Sequence, residues 1–280
     1  MPAPLKHPKI PCRSGRRARQ GASIGILPGS ITVADVGARW GAAGAWFRLP
    51  GLARLIGFEP DAGECARLNR QAGPHEHYFP VALGKINGPA TLHLTTHPAC
   101  ASLYPPSRAM LDRYPSLRPL MEPVGTQTVA VRRLDDWAAE ERVERIDFLK
   151  LDTQGGEFDI LSGASRMLQA CLGVEAEVMF HPLYDGQPMF ADVDILLRNA
   201  GFHLWRLDSL THYMERPNTE PTGETLVQYE HFRVKHVHGS GRLVWGNAIY
   251  FRDIRDAVGR DREVLAVLLK AAGDVDGAKS

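Results

Sequence analysis

Val-Ala-Asp-Val-Gly-Ala-Arg-Trp-Gly, residues 33–41, is the stretch of this chain that decides its fold. The pattern predicts a short buried strand over residues 31–36, then a turn carrying Gly37 and Gly41, and then a helix. A second apolar strand, over residues 55–58, leads directly into Glu59. Ligands of open α/β sheets bind at the carboxyl ends of the strands, so we expect the turn and the acid on one rim. Glu59 is placed there to accept hydrogen bonds from two adjacent ribose hydroxyls, and a nucleoside-bearing ligand is therefore predicted.

The spacing within the turn separates the candidate nucleosides. Dinucleotide-binding turns carry Gly-x-Gly-x-x-Gly, whose glycines admit a pyrophosphate to the helix N-terminus. Here the turn reads Asp35-x-Gly37-x-x-x-Gly41, and its opening carboxylate repels a pyrophosphate but attracts the ammonium of an amino acid. S-adenosylmethionine has that ammonium and a ribose but no phosphate, which makes it the predicted cofactor. The alternative is an ordinary glycine-bearing turn of an α/β protein, with Glu59 merely solvated.

A third stretch, Phe-Leu-Lys-Leu-Asp-Thr-Gln-Gly-Gly-Glu at residues 148–157, adds an acid to the same rim. Lys150 and Asp152 share one face of a strand predicted over residues 146–151, and Asp152 falls at its carboxyl end beside Asp35 and Glu59. The two glycines that follow allow a close backbone approach and a sharp entry into a helix. For Lys150 two interpretations stay open, a structural ion pair at the strand end and a role in the reaction.

Composition narrows the class of protein. The 280 residues, 44% hydrophobic, suffice for one large domain with appendages, and a net charge of +1 gives no electrostatic case for nucleic acid. No apolar run is long enough to cross a bilayer, and the first residues lack the apolar core of a signal peptide. The cysteines are widely spaced, which favours reduced thiols in a cytoplasmic protein over disulfides or zinc: Cys12, Cys65, Cys100 and Cys171. We expect a basic, disordered tail over residues 1–28, a catalytic domain over 29–252, and a C-terminal helix and tail over 253–280. The alternative for the basic tail is a weak contact with an anionic lipid or polymer.

From residue 29 onward strands alternate with helices, which predicts an α/β fold with a mostly parallel sheet covered on both faces. A proline-rich segment over residues 97–123 is expected to form a lid over the acceptor site, because loops of that length in compact domains are usually functional. An amphipathic helix over residues 261–272 is expected to dock on the surface or on a second copy of the chain. The remaining expectations are a third strand over 77–83, strands over 90–95 and 127–131, one helix over 157–169, and a polar, irregular segment over 211–241.

Together these stretches resemble the FkbM family of S-adenosylmethionine-dependent methyltransferases. The similarity covers residues 31–252 and includes, besides the stretches above, Leu-Asp-Asp at Leu134, Pro-Leu-Tyr-Asp-Gly-Gln-Pro-Met-Phe at Pro182 and Leu-Val-Trp-Gly-Asn-Ala-Ile-Tyr-Phe-Arg at Leu243. The resemblance implies a class I methyltransferase, Rossmann-like, with an antiparallel last strand. It also implies O-methylation of a hydroxyl on a sugar, a glycan or a secondary metabolite. The chain departs from the family pattern at Gln154 and Asn247, where members often carry acids.

Candidate site residues follow from both lines of reasoning. The resemblance assigns the cofactor to Asp35, Gly37, Gly41, Glu59 and Ala82. A hydroxyl acceptor needs a group that takes its proton, and the candidates on the rim are Asp152 and His181. Asp152 has three further interpretations: a cap of the following helix, a group that positions the methyl donor, and a metal ligand. Candidates for binding the acceptor, a small molecule or glycan, are Ser102, Tyr104, Gln154 and Tyr184. No metal is predicted, since a hairpin edge explains His231, His236 and His238 better than a metal site does.

Two other classes of protein remain open at this point. One is a Rossmann enzyme that uses another nucleotide such as NAD, against which the missing Gly-x-Gly-x-x-Gly counts. The other is a catalytically silent binding or scaffold protein with the same fold, for which Gln154 and Asn247 are the argument.

Overall fold

The computed structural model describes residues 30–41, 46, 49, 51–213, 224–228, 233–237 and 241–273. The predicted N-terminal tail lies outside the described residues, as do His231, His238 and most of the helix expected after Gly41. Of the hairpin predicted around these histidines, two paired strands are described.

Within the described residues the chain forms twelve strands and eight helices. The strands are β1 (Ile31–Val36), β2 (Ala53–Phe58), β3 (Glu76–Phe79), β4 (Ala82–Leu83), β5 (Gly88–Thr95), β6 (Pro123–Arg132), β7 (Phe148–Leu151), β8 (Gly173–Met179), β9 (His203–Tyr213), β10 (Glu224–Gln228), β11 (Arg233–Val237) and β12 (Arg242–Phe251). The helices are α1 (Ala62–Gln71), α2 (Arg108–Arg113), α3 (Arg118–Met121), α4 (Leu134–Glu140), α5 (Glu157–Ser162), α6 (Ser165–Ala170), α7 (Phe190–Asn199) and α8 (Gly259–Gly273).

The main sheet has the order β3-β2-β1-β7-β8-β12-β9. Its pairs from β3 to β8 are parallel, whereas β12 runs antiparallel to both β8 and β9. A mostly parallel sheet whose last strand alone is reversed is the fold that was predicted. Since β1 and β7 lie side by side at the centre, the ends of β1, β2 and β7 meet on one rim.

Apolar side chains cover both faces of this sheet, as predicted. On one face Ala34, Ile56 and Leu149 pack against α4 to α7. On the other face Val33 and Phe148 pack against α8, whose apolar residues are buried: Val264, Leu265, Val267, Leu268 and Ala272. The helix is held at its start by a fork from Arg260 to the buried Asp147, at 2.8 Å for each nitrogen. The apolar side of α8 therefore docks on the surface of its own chain, the first of the two predicted alternatives.

Three expectations about local structure are corrected. The strand expected over residues 77–83 is two strands, because Pro80 cannot donate to a ladder, and β4 leaves the main sheet for a second one of order β4-β6-β5. The helix expected over 157–169 is divided at Gly163, and the carboxylate of Asp135 caps the second part by accepting from Arg166 N and Met167 N, both at 2.9 Å. The segment expected to be irregular over 211–241 contains the antiparallel pair β10–β11.

The proline-rich segment is folded. It consists of two 3₁₀ turns, Pro98–Cys100 and Pro115–Leu117, with α2 and α3. Leu111, Leu117 and Met121 are buried with residues that follow β8, so the segment has a small core of its own. It lies over the carboxyl-terminal rim of the sheet, where a lid was predicted. We call residues 97–123 the lid.

Candidate active site

A cavity of about 410 Å³ opens at the carboxyl ends of β1, β2, β7 and β8. Three groups of residues line it: the glycine turn and strand ends, the second sheet, and the lid. The lining residues include Asp35, Gly37, Arg39, Gly41, Glu59, Ala82, Ser102, Lys150, Asp152, Gln154, Glu177 and Met179. The cavity thus brings the predicted cofactor residues and Asp152 together.

The glycine turn is fixed by its backbone. Gly37 has φ +85° and Gly41 has φ +97°, which favour glycine at both positions. A Cβ on Gly37 would lie 2.0 Å from the backbone oxygen of Asp152. The turn can therefore approach the end of β7 only with glycine at position 37, which keeps the two halves of the rim in contact.

Glu59 is a buried carboxylate, 4% exposed, at the end of β2. Its Oε1 accepts from the backbone N–H of Asp61 at 2.8 Å and lies 3.8 Å from the guanidinium of Arg39. Burial raises the pKa of Glu59 to about 7, against the lowering effect of the Asp61 N–H and Arg39. Arg39 Nε is buried without a hydrogen-bond partner among the described residues. The carboxylate of Glu59 thus receives few hydrogen bonds, Arg39 Nε has a hydrogen to donate, and Ala82 adds an apolar surface to the same cavity. These three features fit the ribose and base of a nucleoside.

Three strands place a row of polar residues on one face of the sheet, and two of them, Asp35 and Lys150, line the cavity. Asp35, Lys150 and Glu175 are register partners on β1, β7 and β8. Lys150 Nζ donates to Asp35 Oδ1 at 3.1 Å. Burial by itself lowers the pKa of Lys150, but the charges of Asp35, Asp152 and Glu175 outweigh it and raise the pKa. The pKa of Asp35 is raised, by burial first, although Lys150 opposes the shift. Asp35 and Lys150 therefore form a buried ion pair, and the ion-pair interpretation of Lys150 is supported.

Gln154 joins two carboxyl groups. Its Nε2 donates to Asp152 Oδ1 at 3.0 Å and to Glu177 Oε2 at 2.7 Å. Gln154 has φ +60°, a left-handed conformation that costs a residue other than glycine about 1–2 kcal/mol. Burial, then the negative charges of Asp152 and Glu157, raise the pKa of Glu177 well above its ordinary range. The amide of Gln154 therefore fixes the two carboxyl groups relative to each other.

Asp152 does not cap the helix that follows it. The residue at the N-cap of α5 is Gly156, and the loop is closed instead by Glu157 Oε1, which accepts from Thr153 N at 2.7 Å and Thr153 Oγ1 at 2.9 Å. The side chain of Asp152 is 41% exposed. The capping interpretation is thus wrong, and the carboxylate is accessible from the cavity.

The other predicted acceptor residues are held by internal hydrogen bonds. Ser102 Oγ donates to the carbonyl of Gln154 at 2.7 Å, and Tyr104 Oη donates to Asp159 Oδ2 at 2.9 Å. Tyr184 Oη lies 2.9 Å from the carbonyl of Cys100 and 3.1 Å from Gln154 Oε1. Of these three residues only Ser102 is among the cavity's lining residues. Their hydroxyls hold the lid to the loop after β7 and, through Tyr104, to α5.

His181 is not brought into the cavity. It follows β8, but its ring packs edge-on against Tyr114 at a centroid distance of 5.9 Å, and it is absent from the residues that line the cavity. Asn247, one of the departures from the family pattern, donates to Glu175 Oε1 at 2.9 Å. Trp46 donates to the other oxygen of Glu175. Asn247 therefore acts as a donor in the row of polar residues.

Sequence reasoning missed Arg39 and the two glutamates of β8. The segment Val-Glu-Ala-Glu-Val-Met alternates as a half-exposed strand does, and its polar face was left without a role. The signal was available, because Glu175 and Glu177 have the spacing of Lys150 and Asp152 on the neighbouring strand. What the pattern lacks is any sign that this face is turned to a cavity.

Within the described residues, no group of three or more His, Cys, Asp or Glu side chains is arranged to hold a metal ion. In the same part of the chain, no helix combines the length and apolar character needed to cross a bilayer.

Comparisons with known proteins address the family directly. The model of the methyltransferase FkbM domain matches residues 35–204. The 2-O-methyltransferase NoeI of Sinorhizobium fredii (strain NBRC 101917 / NGR234) is 31% identical over 196 residues, which cover 66% of this chain and 79% of that protein.

Two solved structures are more distant. The magnesium protoporphyrin IX methyltransferase of Synechocystis PCC 6803, with bound S-adenosylmethionine, has a TM-score of 0.38 at 11% identity and covers 82% of this chain and 72% of its own. The 1,6-didemethyltoxoflavin-N1-methyltransferase of Burkholderia thailandensis, with S-adenosylhomocysteine, has a TM-score of 0.34 at 11% identity and covers 81% of this chain and 72% of its own. Scores below 0.5 do not establish a relationship, so the assignment depends on the two sequence matches. This chain belongs to the FkbM family and is a methyltransferase whose methyl donor is S-adenosylmethionine.

Proposed function

We propose that this methyltransferase transfers the methyl group to a hydroxyl of a small-molecule or glycan acceptor, with Asp152 taking the hydroxyl proton. One observation carries the proposal: the carboxylate of Asp152 is accessible in the cavity, does not cap a helix, and is held in place by Gln154. A neutral hydroxyl must lose its proton as the new bond forms, so a positioned carboxylate is useful for O-methylation. The family relative named above is itself a 2-O-methyltransferase, which supports the same class.

The cofactor would be held by the residues assigned from the sequence. Glu59 accepts hydrogen bonds from ribose hydroxyls, Ala82 lies beside the base, and Gly37 and Gly41 let the backbone approach the amino-acid end near Asp35. S-adenosylmethionine supplies an electrophilic sulfonium methyl, so the protein's task is alignment and the exclusion of water. Asp152 lies between this end and the remainder of the cavity.

The departures at Gln154 and Asn247 favour an active enzyme over a silent one. Each amide donates to carboxylates: Gln154 to Asp152 and Glu177 in the cavity, and Asn247 to Glu175, the register partner of Lys150. A carboxyl group at either position could donate these hydrogen bonds only when it is protonated. The amides of Gln154 and Asn247 donate them without an added proton.

Asp152→Asn tests the proposal. Because Asp152 is not a helix cap, the variant should unfold within about 0.5 kcal/mol of the wild type and bind S-adenosylhomocysteine equally well. Its turnover should fall about 10²- to 10⁴-fold on any hydroxylated acceptor that the wild type methylates. Asp185→Asn, an exposed site outside the cavity, is the matched control. Unchanged turnover in Asp152→Asn would reject Asp152 as the proton acceptor.

We further propose that the enzyme acts in the cytoplasm. Cys65, Cys100 and Cys171, the cysteines of the described residues, are free thiols, and Cys65 and Cys171 are buried. Free thiols persist in reducing compartments. Cell fractionation of the tagged full-length chain is the test.

A further inference from the structure

The cavity continues past Asp152 into a part whose walls are apolar. We call this part the apolar chamber, and six of its side chains matter here: Leu117, Leu120, Met121, Met179, Leu183 and Trp245. All six belong to one packed cluster formed by the lid, the end of β8 and β12. Leu120 and Trp245 are only partly buried, so they face the open space of the cavity.

Strand order separates the chamber from the nucleoside end. Glu59 follows β2, whereas Met179 and Trp245 are register partners on β8 and β12. Four strand spacings divide β2 from β12, or about 19 Å along the rim. Asp152, at the end of β7, lies between them. The chamber is therefore on the side of Asp152 opposite to the predicted cofactor site.

The chemistry of the chamber differs from that of a sugar-binding site. Its walls are aliphatic and thioether side chains, one indole and one phenol, that of Tyr213. The nearby hydroxyls of Ser102, Tyr104 and Tyr184 are committed to internal partners. Sugar hydroxyls transferred into such a space would lose their hydrogen bonds with water without replacement, whereas apolar groups gain from burial. The polar groups at hand, Asp152 and Gln154, are at its mouth.

We infer that the acceptor is amphipathic: a hydroxyl lies at Asp152 and an alkyl or aryl substituent fills the apolar chamber. This inference rests on the proposed O-methylation and adds the class of substrate. It distinguishes the acceptor from a free sugar or an unsubstituted, fully polar saccharide.

The test compares acceptors that differ only in the apolar part. Methyl and octyl glycosides of a panel of common sugars, below the micelle concentration, are incubated with the full chain and isotope-labelled S-adenosylmethionine. We expect kcat/KM for an octyl glycoside to exceed that of its methyl counterpart at least about tenfold, the effect of burying roughly two methylene groups. Leu120→Asn should lower the ratio of kcat/KM for the octyl glycoside to that for the methyl glycoside. Leu210→Asn, a leucine outside the cavity that is 43% exposed, should change neither.

Equal kcat/KM for the two members of a pair, or a preference for octyl that survives in Leu120→Asn, would overturn the inference while leaving O-methylation intact. If no glycoside is methylated, calorimetry on protein saturated with S-adenosylhomocysteine decides the matter separately. Tighter binding of octyl than of methyl glycosides, lost in Leu120→Asn, would support the apolar chamber even if a sugar hydroxyl is not the group that is methylated. No difference in binding would reject it.

Discussion

Replacing Glu59 with glutamine is expected to stabilise the protein and to weaken its cofactor site at the same time. Burial raises the pKa of Glu59 from an ordinary value of 4.5 to about 7. A raised pKa means that the folded protein holds a proton that the unfolded chain has released. The free energy of unfolding should therefore fall as the pH rises from about 4.5 to about 7, and then stay level.

The magnitude follows from the size of the shift. At about 1.4 kcal/mol for each pKa unit, ionised Glu59 costs the fold at most about 3.5 kcal/mol at pH 8. Glutamine keeps the shape, and its carbonyl oxygen can still accept from the N–H of Asp61. Urea unfolding should thus show Glu59→Gln more stable than the wild type at pH 8, with a difference that vanishes near pH 4. Glu144→Gln, which removes one exposed carboxylate, should show no such dependence on pH.

Cofactor binding should change in the opposite direction. Losing a charged acceptor for ribose hydroxyls costs about 1.5–3 kcal/mol, or roughly 10- to 100-fold in Kd for S-adenosylhomocysteine. In the wild type the affinity should also fall as the pH drops below about 7, because protonated Glu59 accepts poorly, and the variant should lose this dependence. Calorimetry across pH 5.5–8.5 measures both. Stability curves that run parallel at every pH, together with wild-type affinity in the variant, would refute the role of Glu59.

Three further changes probe the rest of the site. Gln154→Glu places a third carboxylate against Asp152 and Glu177, so the acidic limb of the pH profile of kcat/KM should move to higher pH; an unmoved limb would show that the cluster does not control the rate. Lys150→Met leaves Asp35 buried without its cation and should lower the free energy of unfolding in urea by about 3–5 kcal/mol. Most of this loss should be regained in the double variant Lys150→Met/Asp35→Asn, and a loss that persists there would argue against the ion pair. Gly37→Ala should destabilise the fold and abolish binding of S-adenosylhomocysteine, because its Cβ would lie 2.0 Å from a backbone oxygen; normal calorimetric binding would contradict that geometry.

The rim could be predicted from the sequence because its signals are local. Each of β1, β2 and β7 is a short apolar run, and an acid or a glycine stands at or just beyond its end. Parallel strands bring such ends together without any information about side-chain packing. For that reason Asp35, Gly37, Glu59 and Asp152 were found in one cavity.

The parts that could not be predicted depend on distant partners. The hydroxyls of Ser102 and Tyr184 pair with backbone carbonyls far along the chain, so nothing next to them in sequence marks them as part of the scaffold. Pro80 is a local signal for the break between β3 and β4. The second sheet that β4 then joins depends on the pairing of β5 with β6, which the long lid segment separates in sequence. Glu177 was missed because a strand with one polar face has the same sequence pattern whether that face meets solvent or a cavity.

The number of donors around each carboxylate separates those that hold the fold from those that serve the site. Asp147, fully buried, accepts from Thr32 N at 2.8 Å and from two nitrogens of Arg260, and it also pairs with Arg145 at 2.9 Å. Glu59, almost as buried, has one hydrogen bond, of 2.8 Å, within the described part of the chain. A buried carboxylate without enough donors is costly, and a fold that needed only stability would saturate it or replace it with an apolar residue. The deficit of Glu59 supports the proposal that a ligand brings the missing donors, and ribose hydroxyls are donors of that kind.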